Sequence, residues 1–100
     1  MYILRIEHPV PSFEGWKRAF DSDPVSRRKS GVRRYRVMRP IDDPDYAMVE
    51  LEFETRREAE AMHDRLRRLW SSVEGRVMSS PQVRLVELVE ATELRRDKAE

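Results

Sequence analysis

The sequence predicts an α+β fold in which two helices pack on one face of a four-stranded antiparallel sheet, and three observations carry that prediction. Residues 31–54, GVRRYRVMRPIDDPDYAMVELEFE, alternate in kind around a proline- and aspartate-rich turn. Tyr35, Val37, Val49, Leu51 and Phe53 thereby share one strand face, and Arg34, Arg36, Glu50, Glu52 and Glu54 the other. Two further stretches repeat apolar residues every three or four positions, the helical period. Alternating runs at the N-terminus and around 83–89 complete the order strand, helix, strand, strand, helix, strand.

Strand one is expected over Tyr2–His8, with Tyr2, Leu4 and Ile6 on one face, Arg5 and Glu7 on the other, and Ile3 an apolar residue on the polar side. Pro9 and Pro11 end it, because proline donates nothing to a ladder. Ser12 is placed to cap a helix over Ser12–Ser22, whose Phe13, Trp16, Ala19 and Phe20 recur at helical spacing. Asp23-Pro24 reads as a second N-cap with proline at the first helical position, so a short helical turn is expected over Pro24–Ser30, stopped by a left-handed Gly31. Strand two (Val32–Arg39), a turn (Pro40–Asp45) and strand three (Tyr46–Glu54) follow. Thr55 and Glu58 form a capping box, so helix two begins at Arg56; Ala59, Met62, Leu66, Leu69 and Val73 form its stripe with Trp70 beside it, and Gly75 ends it. A loop containing Met78 and Pro81 leads to strand four, Val83–Val89. With right-handed crossovers this order is the split arrangement of ferredoxin-like folds.

One hundred residues suffice for one core, so residues 1–90 are expected to form a single domain and 91–100 a polar tail, frayed or loosely helical. The net charge of +1 argues against a dedicated nucleic-acid binder, despite a basic run from Arg27 through Arg28, Lys29, Arg33, Arg34 and Arg36 to Arg39. The chain has no cysteine, which excludes disulfides and thiolate metal sites. No run reaches the ~20 apolar residues that span a bilayer, and Arg5 and Glu7 interrupt the N-terminal segment too early for a secretory signal. A cytoplasmic location and no membrane partner are expected. Phosphate loops, nucleophile elbows and zinc-binding helices are absent.

Alternation also fixes an expected register. If strands two and three pair around a turn near Asp43, Arg36 lies opposite Glu50, Arg34 opposite Glu52, and Tyr35 opposite Leu51 on the other face. Both helices need the oily face, so the charged one, Arg5, Glu7, Arg34, Arg36, Met48, Glu50 and Glu52, looks outward. Met38, Ile3, Val86 and Leu88 add apolar surface on or near it, and strand four is apolar on both faces. Cover by a second subunit is the expectation.

The order of elements, the helix with Trp16 and Phe20, Asp-x-Asp-Pro before Gly-Val-Arg-Arg-Tyr-Arg-Val, and the Thr-x-x-Glu-Ala helix resemble the dimeric α+β-barrel superfamily of antibiotic-biosynthesis-monooxygenase-like proteins. The resemblance implies a homodimer with two sheets face to face, and in each subunit a cleft for an aromatic substrate or haem. Members include monooxygenases, haem-degrading enzymes, cyclases and isomerases. The cofactor-independent monooxygenases and the haem-degrading members use an asparagine with a tryptophan, and this chain contains no asparagine. In haem-degrading relatives a helix histidine ligates iron, with the tryptophan preceding it; here Trp70 follows His63.

The candidate catalytic residues are His8, a general base at a strand end that could equally be a surface histidine beside Pro9, and His63, on the flank of the helix-two stripe. Trp16, Phe20, Tyr35 and Trp70 are candidates to line a ligand pocket, against the plainer reading of helix-spaced aromatics as core. No metal site and no cofactor are expected. The functional expectation is a small homodimeric protein binding a small apolar or aromatic ligand. The alternative is a cofactor-independent monooxygenase or cyclase on an aromatic or polyketide substrate, with haem binding or degradation third.

Overall fold

The computed structural model describes residues 1–73 and 80–95 of the chain. Six elements follow one another: β1 (Tyr2–Pro9), α1 (Phe13–Asp21), β2 (Arg34–Met38), β3 (Tyr46–Phe53), α2 (Arg56–Val73) and β4 (Gln82–Glu87). The strands form one sheet in the order β2-β3-β1-β4, every pair antiparallel, which is the ferredoxin-like arrangement. The register between β2 and β3 is the one that alternation demands, with Arg34 opposite Glu52, Tyr35 opposite Leu51 and Arg36 opposite Glu50. A slip of one residue would have turned the arginines into the core.

The core lies between the oily sheet face and the helices. Leu4 and Ile6 of β1 and Val49, Leu51 and Phe53 of β3 meet Trp16 of α1 and Ala59, Met62 and Leu66 of α2. Strand four presents Val83 and Leu85 to this layer, opposite Ile6 and Leu4, whereas Val86 stands opposite Ile3 on the outer face. The charged face is thus turned away from both helices.

The helix starts follow their caps. Ser12 Oγ accepts the Gly15 N–H at 3.2 Å, and Thr55 Oγ1 accepts the Glu58 N–H at 3.1 Å. The return half of the expected capping box differs: Glu58 Oε1 accepts the Thr55 hydroxyl at 3.1 Å and not a backbone N–H. Gly31 is left-handed, with φ of 100°.

The helical turn expected over Pro24–Ser30 forms only in its second half, where the Ser30 N–H donates to the Ser26 carbonyl at 3.0 Å. Ser26 has φ of 50° and Asp23 φ of 56°, a left-handed backbone through which no α-helix continues, and the segment is a series of turns. Asp23 still acts as a cap, its Oδ1 accepting the Arg27 N–H at 2.9 Å. The expected stop at Gly75 and loop residue Met78 lie outside the described residues. Residues 88–95 carry neither helix nor strand, so the tail has no helical turn as far as it is described.

Candidate functional site

Between α1, the turns after it, the C-terminal half of α2 and the oily sheet face lies a cavity of about 290 Å³. Its lining is apolar and aromatic for a reason visible in α1, where Phe13, Trp16 and Phe20 fall on one ridge at spacings of three and four. The rings run in a chain. Phe13 and Trp16 centroids are 5.5 Å apart, Trp16 and Phe20 stack at 5.2 Å, and Phe20 meets Tyr35 edge-on at 5.3 Å. Trp16 and Phe20 line the cavity, as does Trp70 of α2.

Tyr35 is placed differently. It sits on an edge strand with 46% of its surface exposed, and it packs on the outer side of Phe20 without lining the cavity. Three of the four expected ligand-binding aromatics therefore gather at one site and the fourth supports it from behind.

His8 lines the same cavity and is only 2% exposed, which corrects the alternative of a surface histidine. Its parity on β1 is that of Leu4 and Ile6, so the alternation that buries them buries it too. The imidazole stands edge-on to Trp16, centroids 5.9 Å apart, and its Nδ1 lies 3.3 Å from the Pro9 carbonyl. A carbonyl can only accept, so this contact selects the tautomer with hydrogen on Nδ1 and leaves Nε2 as the acceptor. Among the described residues Nε2 has no hydrogen-bond partner. Burial pushes the His8 pKa below its ordinary 6.5, against the opposing pull of the Pro9 carbonyl, so the ring is neutral at pH 7.

Arg27 also lines the cavity, and reading the sequence as a run of surface cations misses it. Its side chain is 12% exposed, with the guanidinium 3.8 Å over the Phe20 ring and 4.9 Å from Tyr35. Nη1 donates to the Phe20 carbonyl at 2.7 Å. The basic run is thereby split: Arg27 turns inward, while Arg33, Arg34 and Arg36 pair with Glu54, Glu52 and Glu50. Only the Asp23 cap four residues earlier hinted at a defined place for Arg27.

His63 lies on the flank of α2, half-buried and outside the cavity lining. The structure does not bring it together with His8. Among the described residues no three His, Asp or Glu side chains converge to hold a metal ion.

On the outer face, Glu50 accepts from Arg5 at 3.1 Å and Arg36 at 2.5 Å, and Glu52 from Arg34 at 2.6 Å. Glu7 accepts the Tyr46 hydroxyl at 2.7 Å, a bond that raises the phenol's pKa. Met48 is half-buried beside them and Ile3 fully so. No helix among the described residues is long and apolar enough to cross a membrane.

No family model and no curated protein matches the sequence. Solved structures do match. A variant of MhuD with two manganese protoporphyrin IX molecules bound per active site superposes with a TM-score of 0.67 at 15% identity, over 93% of this chain and 99% of that one. A dimeric ferredoxin-like protein from an uncultured marine organism gives 0.65 at 8% identity, over 94% and 100%. A monooxygenase from the ActVA-Orf6 gene of Streptomyces coelicolor, in complex with nanaomycin D, gives 0.62 at 13% identity, over 94% and 92%. At such identities the likeness shows the fold alone, the ferredoxin-like α+β fold.

Proposed function

We propose that this chain is a small homodimeric protein that binds a small aromatic ligand of one or two rings in the cavity under α1, without a fixed cofactor. The observation that carries this reading is the cavity itself, apolar, about 290 Å³ in volume and lined by Trp16, Phe20 and Trp70. A cavity of ~150 Å³ lined by leucine, isoleucine and phenylalanine takes up benzene, so about twice that volume suits a bicyclic ligand. The residues do not fit a haem. Four pyrrole rings exceed the space, and His63, the helix histidine that would ligate iron, stands outside the lining. That two structures of this fold hold nanaomycin D and a porphyrin supports an aromatic ligand as a class.

The tryptophans make the test direct. Titration with the uncharged bicycle 2-naphthamide should quench tryptophan fluorescence saturably, one molecule per chain. Ala19→Phe, which places a ring in the cavity, should abolish the effect. No saturable quenching, or unchanged binding by the filled variant, would overturn the reading.

A second reading, an enzyme using His8 as general base, is favoured by one observation: a neutral imidazole with a partnerless Nε2 and the cation of Arg27 line the same cavity. Such a pair suits proton removal beside a carbonyl, the base taking the proton and a cation steadying the enolate. Hydrogen–deuterium exchange at the acidic carbon of 2-tetralone, followed by NMR, tests it. The wild-type chain should accelerate exchange and His8→Gln should not. The rate should fall as pH drops through the depressed His8 pKa, below 6.5, because only the neutral ring accepts a proton. Equal rates in the two proteins would leave His8 a packing residue.

A further inference from the structure

Resting on the reading of the cavity as a ligand site, we infer that its ligand is an aromatic carboxylate, the rings lying among Trp16, Phe20 and Trp70 and the carboxylate on the guanidinium of Arg27. Arg27 is a largely buried cation whose charge the described residues leave incompletely answered. Its Nη1 bonds a carbonyl, and the nearest carboxylate, Asp23 Oδ1, stays at 3.5 Å from it. That same oxygen already takes the Arg27 N–H, and the Asp23 side chain is 40% exposed, so water shares it. Of the five guanidinium hydrogens, those on Nε and Nη2 have no hydrogen-bond partner among the described residues. They form the edge that holds a carboxylate through two parallel bonds.

The surroundings favour an anion further. No acidic side chain is among the described residues lining the cavity, and with His8 neutral Arg27 is the single formal charge among them. The guanidinium sits 3.8 Å over the Phe20 ring and 4.9 Å from Tyr35, contacts that restrict the side chain and reduce the rotamer freedom lost on binding. An apolar chamber strengthens such a pair relative to bulk water.

The pair 2-naphthoate and 2-naphthamide, close in size and differing in charge, isolates the effect, with fluorescence of Trp16 and Trp70 reporting occupancy of the full chain at pH 7.5. Wild-type protein should bind the carboxylate about tenfold or more tighter than the amide, the range of a charge-assisted bond. Arg27→Gln should erase that preference, weakening the carboxylate about tenfold more than the amide. Asp23→Asn removes the competing carboxylate, keeps an oxygen for the Arg27 N–H and tolerates a positive φ. It should strengthen naphthoate binding about threefold, the scale of a partly exposed ion pair, without affecting the amide. Equal affinities in wild type, or a preference that survives Arg27→Gln, would overturn the inference and leave the aromatic site standing. Failure of both compounds to bind would overturn the site and the inference together. If Arg27→Gln does not fold, Asp23→Asn decides alone, and no gain for naphthoate overturns the carboxylate.

Discussion

His8 is held at a cost. An imidazole that protonates freely in the unfolded chain near pH 6.5 is kept neutral in the fold by burial, so between that pH and its lower folded value the unfolded state binds more protons. Stability must therefore rise with pH across this window. It should be lost as pH falls below 6.5, with no further loss from this group once the folded pKa is passed. His8→Gln, which keeps a donor near the Pro9 carbonyl but does not titrate, should show a smaller difference between pH 7.5 and pH 5 in urea unfolding. If the two proteins respond equally to pH, His8 titrates as freely folded as unfolded. The position of His8 was legible in the sequence, because it shares the parity of Leu4 and Ile6. That of Arg27 was not. It stands in a run with Arg28 and Lys29, and the Asp23 cap four residues earlier places its backbone without saying that its side chain turns inward.

At the scale of elements, the junction where β2 begins rests on the first turn of α2. A Cβ on Gly31 would lie 2.5 Å from Glu58 Oε2 at a backbone φ of 100°, and Glu58 is the residue whose carboxylate accepts the Thr55 hydroxyl. Gly31→Ala should thus cost ~1–2 kcal/mol for the left-handed backbone and more for displacing Glu58. In a Glu58→Ala background the second part should vanish and the first remain, which denaturant unfolding of the four proteins would show. Equal losses in both backgrounds would mean that the carboxylate swings aside at no cost. Thr55→Ala should cost ~1 kcal/mol as an ordinary N-cap loss. These caps and the strand register were legible because each is written in residues close together or in strict alternation. The turns over 23–30 were not. Arg65, from α2, donates to the Val25 carbonyl at 3.1 Å and bonds the Ser30 hydroxyl, while Ser26 between them goes left-handed. Ties to a residue 35 and 40 positions away override the local Asp-Pro signal.

For the whole molecule, the question is what the outer sheet face meets. In the single chain the Glu50 and Glu52 side chains are already only 14% and 9% exposed, sheltered by arginines that themselves remain more than half exposed. Met38 and the half-buried Val86 add apolar surface, and Arg84 stands directly opposite Arg5, whose charge Glu50 answers from the other side. A second copy placed sheet to sheet would cover the half-exposed arginines and this apolar surface together, and a structure of this fold is described as dimeric. Light scattering should then return about twice the 12.0 kDa of the chain at micromolar concentration. The pair Arg36 and Glu50 separates a covered face from a merely solvated one. Under a partner, Glu50→Ala leaves Arg5 and Arg36 buried without their shared counter-ion, at a cost of ~3–5 kcal/mol; in solvent the loss is ~1 kcal/mol or less. Arg36→Ala should cost less than Glu50→Ala, since Arg5 still neutralises the carboxylate. Unfolding each single variant and the double at two protein concentrations measures both the coupling and its dependence on assembly. Losses that are small and independent of concentration would show that the arginines lie in water and that the sheet face stays open.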